Sequence, residues 1–213
     1  MRVPPQQFDP DCTRCPRLAD FLAEVRREHP DYHARPVPPF GDPQGQLLIV
    51  GLAPGMHGAN ATGRPFTGDY AGILLYRALH DAGFASRPVS RPGDDLELRD
   101  CRITNAVKCL PPQNKPTTAE VDTCNQFLRA EIDTVGEAGV LLALGAIAHR
   151  AVLKALAMKL NASPFGHAAE HALPGGRVLL DSYHCSRYNT QTRRLTDEMF
   201  HAVIRRAKEL RGG

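Results

Sequence analysis

Six cysteines are the residues whose spacing points most directly to chemistry. Cys12 and Cys15 form a C-x2-C pair, and two intervening residues let both sulfurs turn toward one metal. Cys109 and Cys124 form a C-x14-C pair further along the chain. Four thiolates with no histidine partner suit either zinc or an iron–sulfur cluster. Disulfides are disfavoured in a reducing compartment, where this chain is expected. The alternative makes Cys109 and Cys124 small core residues and the C-x2-C incidental. Against it, Cys12 and Cys15 sit in a charged, proline-flanked segment with no core to join. Cys101 and Cys185 lie outside the pattern, and Cys101 reads as a core residue.

The elements that must position these groups are legible as alternating strands and helices. Gln46–Gly51 is a short continuous apolar run, as expected of a strand buried on both faces. A loop rich in glycine (Gly51, Gly55, Gly58, Gly63, Gly68) follows, then a helix from Asp69 to Gly83. Cys101–Val107 reads as a second strand stopped by Pro111 and Pro112. Thr117–Glu120 is a capping-box signature that opens a helix with Val121, Cys124, Leu128 and Ile132 on one stripe. Gly139–Gly145 and Arg177–Tyr183 are the third and fourth strands. A helix after Gly145 runs through Leu156, and the last helix turns Leu195, Met199 and Val203 inward. A helical segment from Leu18 to Val25 precedes the first strand, joined to it by the proline-rich stretch 36–43. The order βαβαβαβα predicts an α/β fold with a four-stranded parallel sheet covered on both faces, and ligands outside the carboxyl ends of the strands.

Composition narrows the class. The chain of 213 residues is 42% apolar and 23% charged, which excludes disorder, and it has no apolar run long enough to span a bilayer. The N-terminus Met1-Arg2-Val3-Pro4-Pro5 has no apolar core of a secretory signal, so a cytoplasmic protein is expected. The net charge of +3 is small but unevenly placed: residues 1–45 carry −1 and residues 177–213 carry +4. Such asymmetry suits a phosphate backbone or, equally, a solvated surface.

The segments Gly51-Leu52-Ala53-Pro54-Gly55 and Gly63-Arg64-Pro65-Phe66-Thr67-Gly68-Asp69 resemble the first motif of the uracil-DNA glycosylase superfamily, closest to its family-five (type B) enzymes. The likeness extends to Thr104-Asn105-Ala106-Val107-Lys108-Cys109 and to Ser182-Tyr183-His184-Cys185-Ser186-Arg187-Tyr188-Asn189, and so covers nearly the whole chain. It implies a three-layer αβα glycosylase fold, a single domain over 1–213 in which residues 1–45 help bind a cluster and 46–213 form the core. It also implies a [4Fe–4S] cluster on Cys12, Cys15, Cys109 and Cys124, and hydrolysis of the N-glycosidic bond of deoxyuridine, and of hypoxanthine or xanthine nucleotides, in single- or double-stranded DNA. A monomer associated with the nucleoid is expected.

The resemblance assigns roles to particular residues. Backbone N–H groups around Gly51, Ala53 and Gly55 would approach the base or a phosphate closely. Phe66 would stack on the extruded pyrimidine, and the Asn105 amide would read its O4 and N3–H edge. His184 would stabilise charge on the departing uracil, while Asp69 would direct water or stabilise the sugar cation. Ser186, Arg187 and Tyr188 would meet the duplex, with Lys108 and Arg193 as phosphate contacts. Two departures stand out: Ala53 occupies a place where the best-known uracil glycosylases carry Asp or Asn, and Cys185 follows His184 where proline is usual. Plainer readings stand beside these roles. Asp69 would be a helix N-cap, Phe66 a core plug, His57 a loop-surface residue and Arg187 one exposed cation among several. The alternative at the level of function is a non-catalytic iron–sulfur nucleic-acid-binding protein of the same fold; an electron carrier would leave the glycine loop and Asn105 without purpose.

Overall fold

Strand formation follows the apolar runs. The computed structural model describes residues 7–212, so the N-terminal reading of Met1–Pro5 lies outside the described residues. Four strands, β2 (Leu47–Gly51), β3 (Cys101–Asn105), β4 (Val140–Leu144) and β6 (Val178–Ser182), pair in parallel in the order β3-β2-β4-β6. Every residue of β2 and β4 is buried, because side chains of alternating direction meet a helical layer on each face. Leu47, Ile49, Leu142 and Leu180 face α3 (Tyr70–Asp81) and α7 (Asp197–Gly212). Leu48, Val50, Leu141 and Leu179 face α4 (Thr118–Ile132) and α5 (Ala146–Ala155). Truncating one such leucine to alanine costs about 2–5 kcal/mol.

The sheet has six strands rather than the expected four. β1 (Phe40–Gly41) pairs antiparallel with β3, and β5 (Glu170–Ala172) pairs antiparallel with β6. Both edges are too short to carry a period-two pattern, and β1 emerges from the proline-rich connector. Short edges of this kind blunt pairing with other chains. The last helix also begins later than expected: Leu195 is buried but precedes α7, whose inward stripe is Phe200, Val203, Ile204 and Ala207.

The N-terminal segment packs through α1 (Pro16–Glu28). Its Leu18, Leu22 and Val25 form a third apolar cluster with Val107, Leu110 and Phe127, and Cys109 and Cys124 belong to that cluster. Arg17 adds two hydrogen bonds to the Glu120 carboxylate, at 2.8 and 2.7 Å. Thr117 caps α4 as expected, with the Glu120 side chain accepting from the Thr117 N–H.

Candidate active site and cysteine site

The carboxyl ends of β2, β3 and β6 converge, and the chain reverses its order across β2, so a crevice opens there. It is a cavity of about 390 Å3 lined by Ala53, Gly55, Phe66, Asp69, Asn105 and His184, with Ser186 and Arg187 at its rim. All three residues expected to enclose a base, Phe66, Asn105 and His184, therefore face one space.

Glycine makes this convergence sterically feasible. A Cβ on Gly51 would stand 2.4 Å from the Asn105 Oδ1 and 2.7 Å from the Phe66 ring. Phe66 itself adopts a left-handed backbone, φ +56°, which is costly for an aromatic residue. Two contacts hold it there: the Tyr76 hydroxyl donates to the Pro65 carbonyl at 2.8 Å, and Gly72 leaves room for the Phe66 carbonyl. The Phe66 ring is 6% exposed and stacks on His184, with centroids 6.0 Å apart.

Asp69 occupies the N-cap position of α3, yet its side chain makes no capping bond. Its carboxylate turns back onto the Cα faces of Gly55 and Gly58 and accepts from the Ala59 N–H at 3.4 Å. Burial pushes its pKa up, making it a weaker acid, and outweighs that one bond. The N-cap position expected of Asp69 is thus occupied, but its side chain is turned to the glycine loop instead of the helix end.

Asn105, at the end of β3, is 4% exposed, and among the described residues no protein group bonds its side-chain amide. Burial pushes the His184 imidazole down to about 4, so it is neutral at neutral pH. Its loop is fixed by the Asn189 side-chain amide, which donates to the His184 carbonyl at 2.8 Å, and by Ser186, which caps α6 (Arg187–Gln191). Arg187 lies over the Tyr70 ring at 5.0 Å, Tyr188 is 72% exposed, and Arg193 is exposed on a left-handed turn.

Lys108 is not where a phosphate contact must be. It is 1% exposed, and its ammonium donates to the Thr104 hydroxyl, to the Asn105 carbonyl at 2.9 Å and to Glu131 at 2.8 Å. The motif points it inward because α4 crosses behind β3 and supplies the buried Glu131. His57 is tied to Tyr32 by a 2.8 Å hydrogen bond, and Tyr32 stacks on His29, so His57 anchors the glycine loop. Asn114, which lines the pocket in a left-handed turn after Pro111-Pro112, had no signal in the sequence beyond asparagine's tolerance of that conformation.

Cys12, Cys15, Cys109 and Cys124 line one small cavity between α1, the chain after β3, and α4. The Cys109 thiol is pushed up by burial and by the proximity of the other three sulfurs. Burial also raises Cys15, and holds Cys124 at about 11. The Lys108 N–H donates to the Cys124 sulfur at 3.3 Å. Among the described residues, no three of these sulfurs lie mutually within 4.8 Å. Cys101 is fully buried in the core, and burial holds the Cys185 thiol at about 12, which makes it an unreactive neutral group.

Comparison with known proteins places this geometry in a lineage. The family model of the uracil DNA glycosylase superfamily matches residues 38–208. A type-5 uracil-DNA glycosylase of Thermus thermophilus is 51% identical, over 94% of each chain. One from Pyrobaculum aerophilum is 45% identical over 92% of this chain and 88% of its own. A type-4 uracil-DNA glycosylase of Thermotoga maritima is 37% identical, but over only 51% of this chain and 49% of its own. The full-length likeness is thus to type 5, and the chain belongs to the uracil DNA glycosylase superfamily and, within it, to the type-5 uracil-DNA glycosylases.

Proposed function

We propose that the protein removes uracil from DNA by hydrolysing the bond between C1′ of the sugar and N1 of the base, leaving an abasic site. The observation that carries this is the convergence of Asp69, Phe66, Asn105 and His184 on one cavity, with the Asn105 amide unpartnered among the described residues. A base inside a duplex cannot reach such a pocket, so the nucleotide swings out of the stack at a cost of about a few kcal/mol. Phe66 supplies an apolar face and Asn105 the donor and acceptor that fit the uracil edge.

As the C1′–N1 bond breaks, its electron pair passes to the base. The neutral His184 donates a hydrogen bond to the uracil anion without carrying a proton away. Asp69, ionised, accepts a proton from the water that attacks C1′, or at an earlier stage offsets positive charge on the sugar. Burial makes it a stronger base than an exposed carboxylate. A small Ala53 in the lining leaves space that supports acceptance of hypoxanthine or xanthine. Arg187 and Tyr188 at the rim are placed for the duplex gap, and Arg193 for a phosphate. We assign the enzyme to the nucleoid as a monomer; no helix among the described residues is long and apolar enough to cross a membrane.

A [4Fe–4S] cluster is the group that the four cysteines fit. The donor set is all sulfur, with four thiols and no histidine lining one small cavity. The N–H of Lys108 would support a thiolate at Cys124. Such a cluster supplies a structural cross-link, and the chain's own hydrolytic groups need no electron from it. Cys12 and Cys15 would thereby hold the N-terminal segment against the strand end that carries Asn105. Purified protein should be brown, with roughly four irons per chain; colourless protein with one zinc would overturn the assignment.

The activity is tested with single- and double-stranded oligonucleotides containing one uracil, treated with alkali after incubation. Scission at the uracil is expected, and intact strands from both substrates would refute the proposal. His184→Ala should lose rate yet keep most DNA affinity, whereas a non-catalytic binder would show no turnover to lose.

A further inference from the structure

A second polar cluster lies on the far edge of the sheet, apart from both sites above. His149 on the first turns of α5, His171 in β5 and Asp181 in β6 bring three ligand atoms within 4.8 Å of one another. Their side chains are 2%, 12% and 0% exposed. A buried carboxylate is costly unless a positive partner and hydrogen bonds compensate it.

The bonding pattern identifies what is required there. His149 Nε2 lies 2.8 Å from the Ser163 carbonyl, which can only accept, so Nε2 carries a hydrogen. In the neutral ring Nδ1 is then a lone pair, and it faces the Asp181 Oδ1 at 2.8 Å, a second acceptor. The other carboxylate oxygen faces His171 Nε2 at 3.1 Å and receives the Gly166 N–H at 3.4 Å. Two lone pairs meet across a short gap, and a cation must sit between them. A proton on His149, with the Nε2–H of a neutral His171 donated to Asp181, would close both contacts by hydrogen bonds. A metal ion satisfies both imidazoles and the carboxylate together.

We propose that His149, His171 and Asp181 bind one zinc-class divalent cation. Three features converge on this. Metal-bound histidines characteristically donate their other ring N–H to a carbonyl, as His149 does to Ser163. Two imidazoles and a carboxylate form a donor set suited to zinc and its late first-row neighbours. The N–O separations of 2.8 and 3.1 Å need to widen by only roughly half an ångström or less to reach the tetrahedral edges of about 3.3–3.4 Å set by ligands at about 2.0–2.1 Å from one zinc. The ion staples α5 to the β5–β6 pair, and the partly exposed His171 provides its route in. From Asp181 the chain runs through Ser182 and Tyr183 to His184, so the staple also braces the base of the catalytic loop.

The test uses the purified protein with its cysteine site loaded, stripped of loosely held metal and titrated with zinc chloride. Wild type should take up one zinc per chain with its iron content unchanged, and its melting temperature should rise by several degrees. His171→Gln and Asp181→Asn, which keep the shape of the cluster, should lose that zinc and that rise while matching wild type in iron content. Uptake in both variants equal to wild type would overturn the proposal, as would the absence of zinc binding in a wild-type protein of full iron content; the cluster would then be closed by a proton alone.

Discussion

Asn105 and Lys108 stand three residues apart at the same strand end, and the molecule treats them in opposite ways. The Asn105 amide faces the pocket without a partner among the described residues, whereas the Lys108 ammonium is bonded to Thr104, the Asn105 carbonyl and Glu131. The difference teaches how the site is built. Groups that meet the substrate are left with open hydrogen-bonding capacity, and the ammonium just behind them is saturated, so that the open ones cannot collapse inward. Asp69 belongs to the first kind, with a single long backbone bond, and burial keeps its pKa raised.

The comparison is broken most severely at Asp69. Asp69→Asn removes the base while keeping the shape, and should lower the rate by about 10²–10⁴ with little change in melting temperature. The pH profile sharpens the assignment. The wild-type rate should fall on acidification as Asp69, with its raised pKa, takes up a proton. His184, held down to about 4, stays neutral well above pH 4 and contributes nothing to the limb there. Single-turnover rates of Asp69→Asn should therefore be flat where wild type declines; a surviving acid limb would move the titrating group elsewhere.

At Lys108 the expected loss is in stability. Lys108→Met leaves Glu131 buried without its cation, and the Glu131 Oε1 already has no partner among the described residues. Breaking one side of a buried pair costs about 3–5 kcal/mol, roughly 6–20 °C in melting temperature for a domain of this size. Replacing both partners, as Lys108→Met with Glu131→Leu, should recover most of it. Thermal melts of the two variants check this, and a double variant as unstable as the single would show that the pair does more than neutralise itself. Arg17 and Glu120 form the milder counterpart, with Arg17 half exposed; Arg17→Met should lower the melting temperature far less than Lys108→Met.

The contrast also marks where the sequence stops being readable. Buried parallel strands announce themselves as unbroken apolar runs, so β2, β4 and their helices were legible, and so was the pocket's place at their carboxyl ends. Phe66, Asn105 and His184 were recoverable because motifs tie residue type to a strand end. The inward turn of Lys108 was not, since its partner Glu131 is 23 residues away and sits on a helix whose face only packing determines. β1 and β5 were lost because two or three residues carry no period. The His149–Asp181 pairing was hidden for the same reason as Lys108: nothing local links α5 to β6.

The smallest effect expected lies at the rim, and it separates contact with DNA from chemistry. Tyr188 is 72% exposed on a short helix, and its neighbours Tyr70 and Ile73 are exposed as well. Apolar area left in water beside a polar pocket is what an unstacked duplex would cover. Stacking on an aromatic ring is worth about 1–3 kcal/mol, and a ring this exposed at a rim should deliver the low end. Tyr188→Ala should then weaken binding to uracil-containing duplex about fivefold, measured by fluorescence anisotropy, with the melting temperature unchanged. Single strands, which leave no gap to fill, should bind Tyr188→Ala and wild type nearly alike. An equal loss on both substrates would make Tyr188 a general contact rather than a wedge. No loss on either would leave Arg187, packed on Tyr70, as the residue of this helix that meets the DNA.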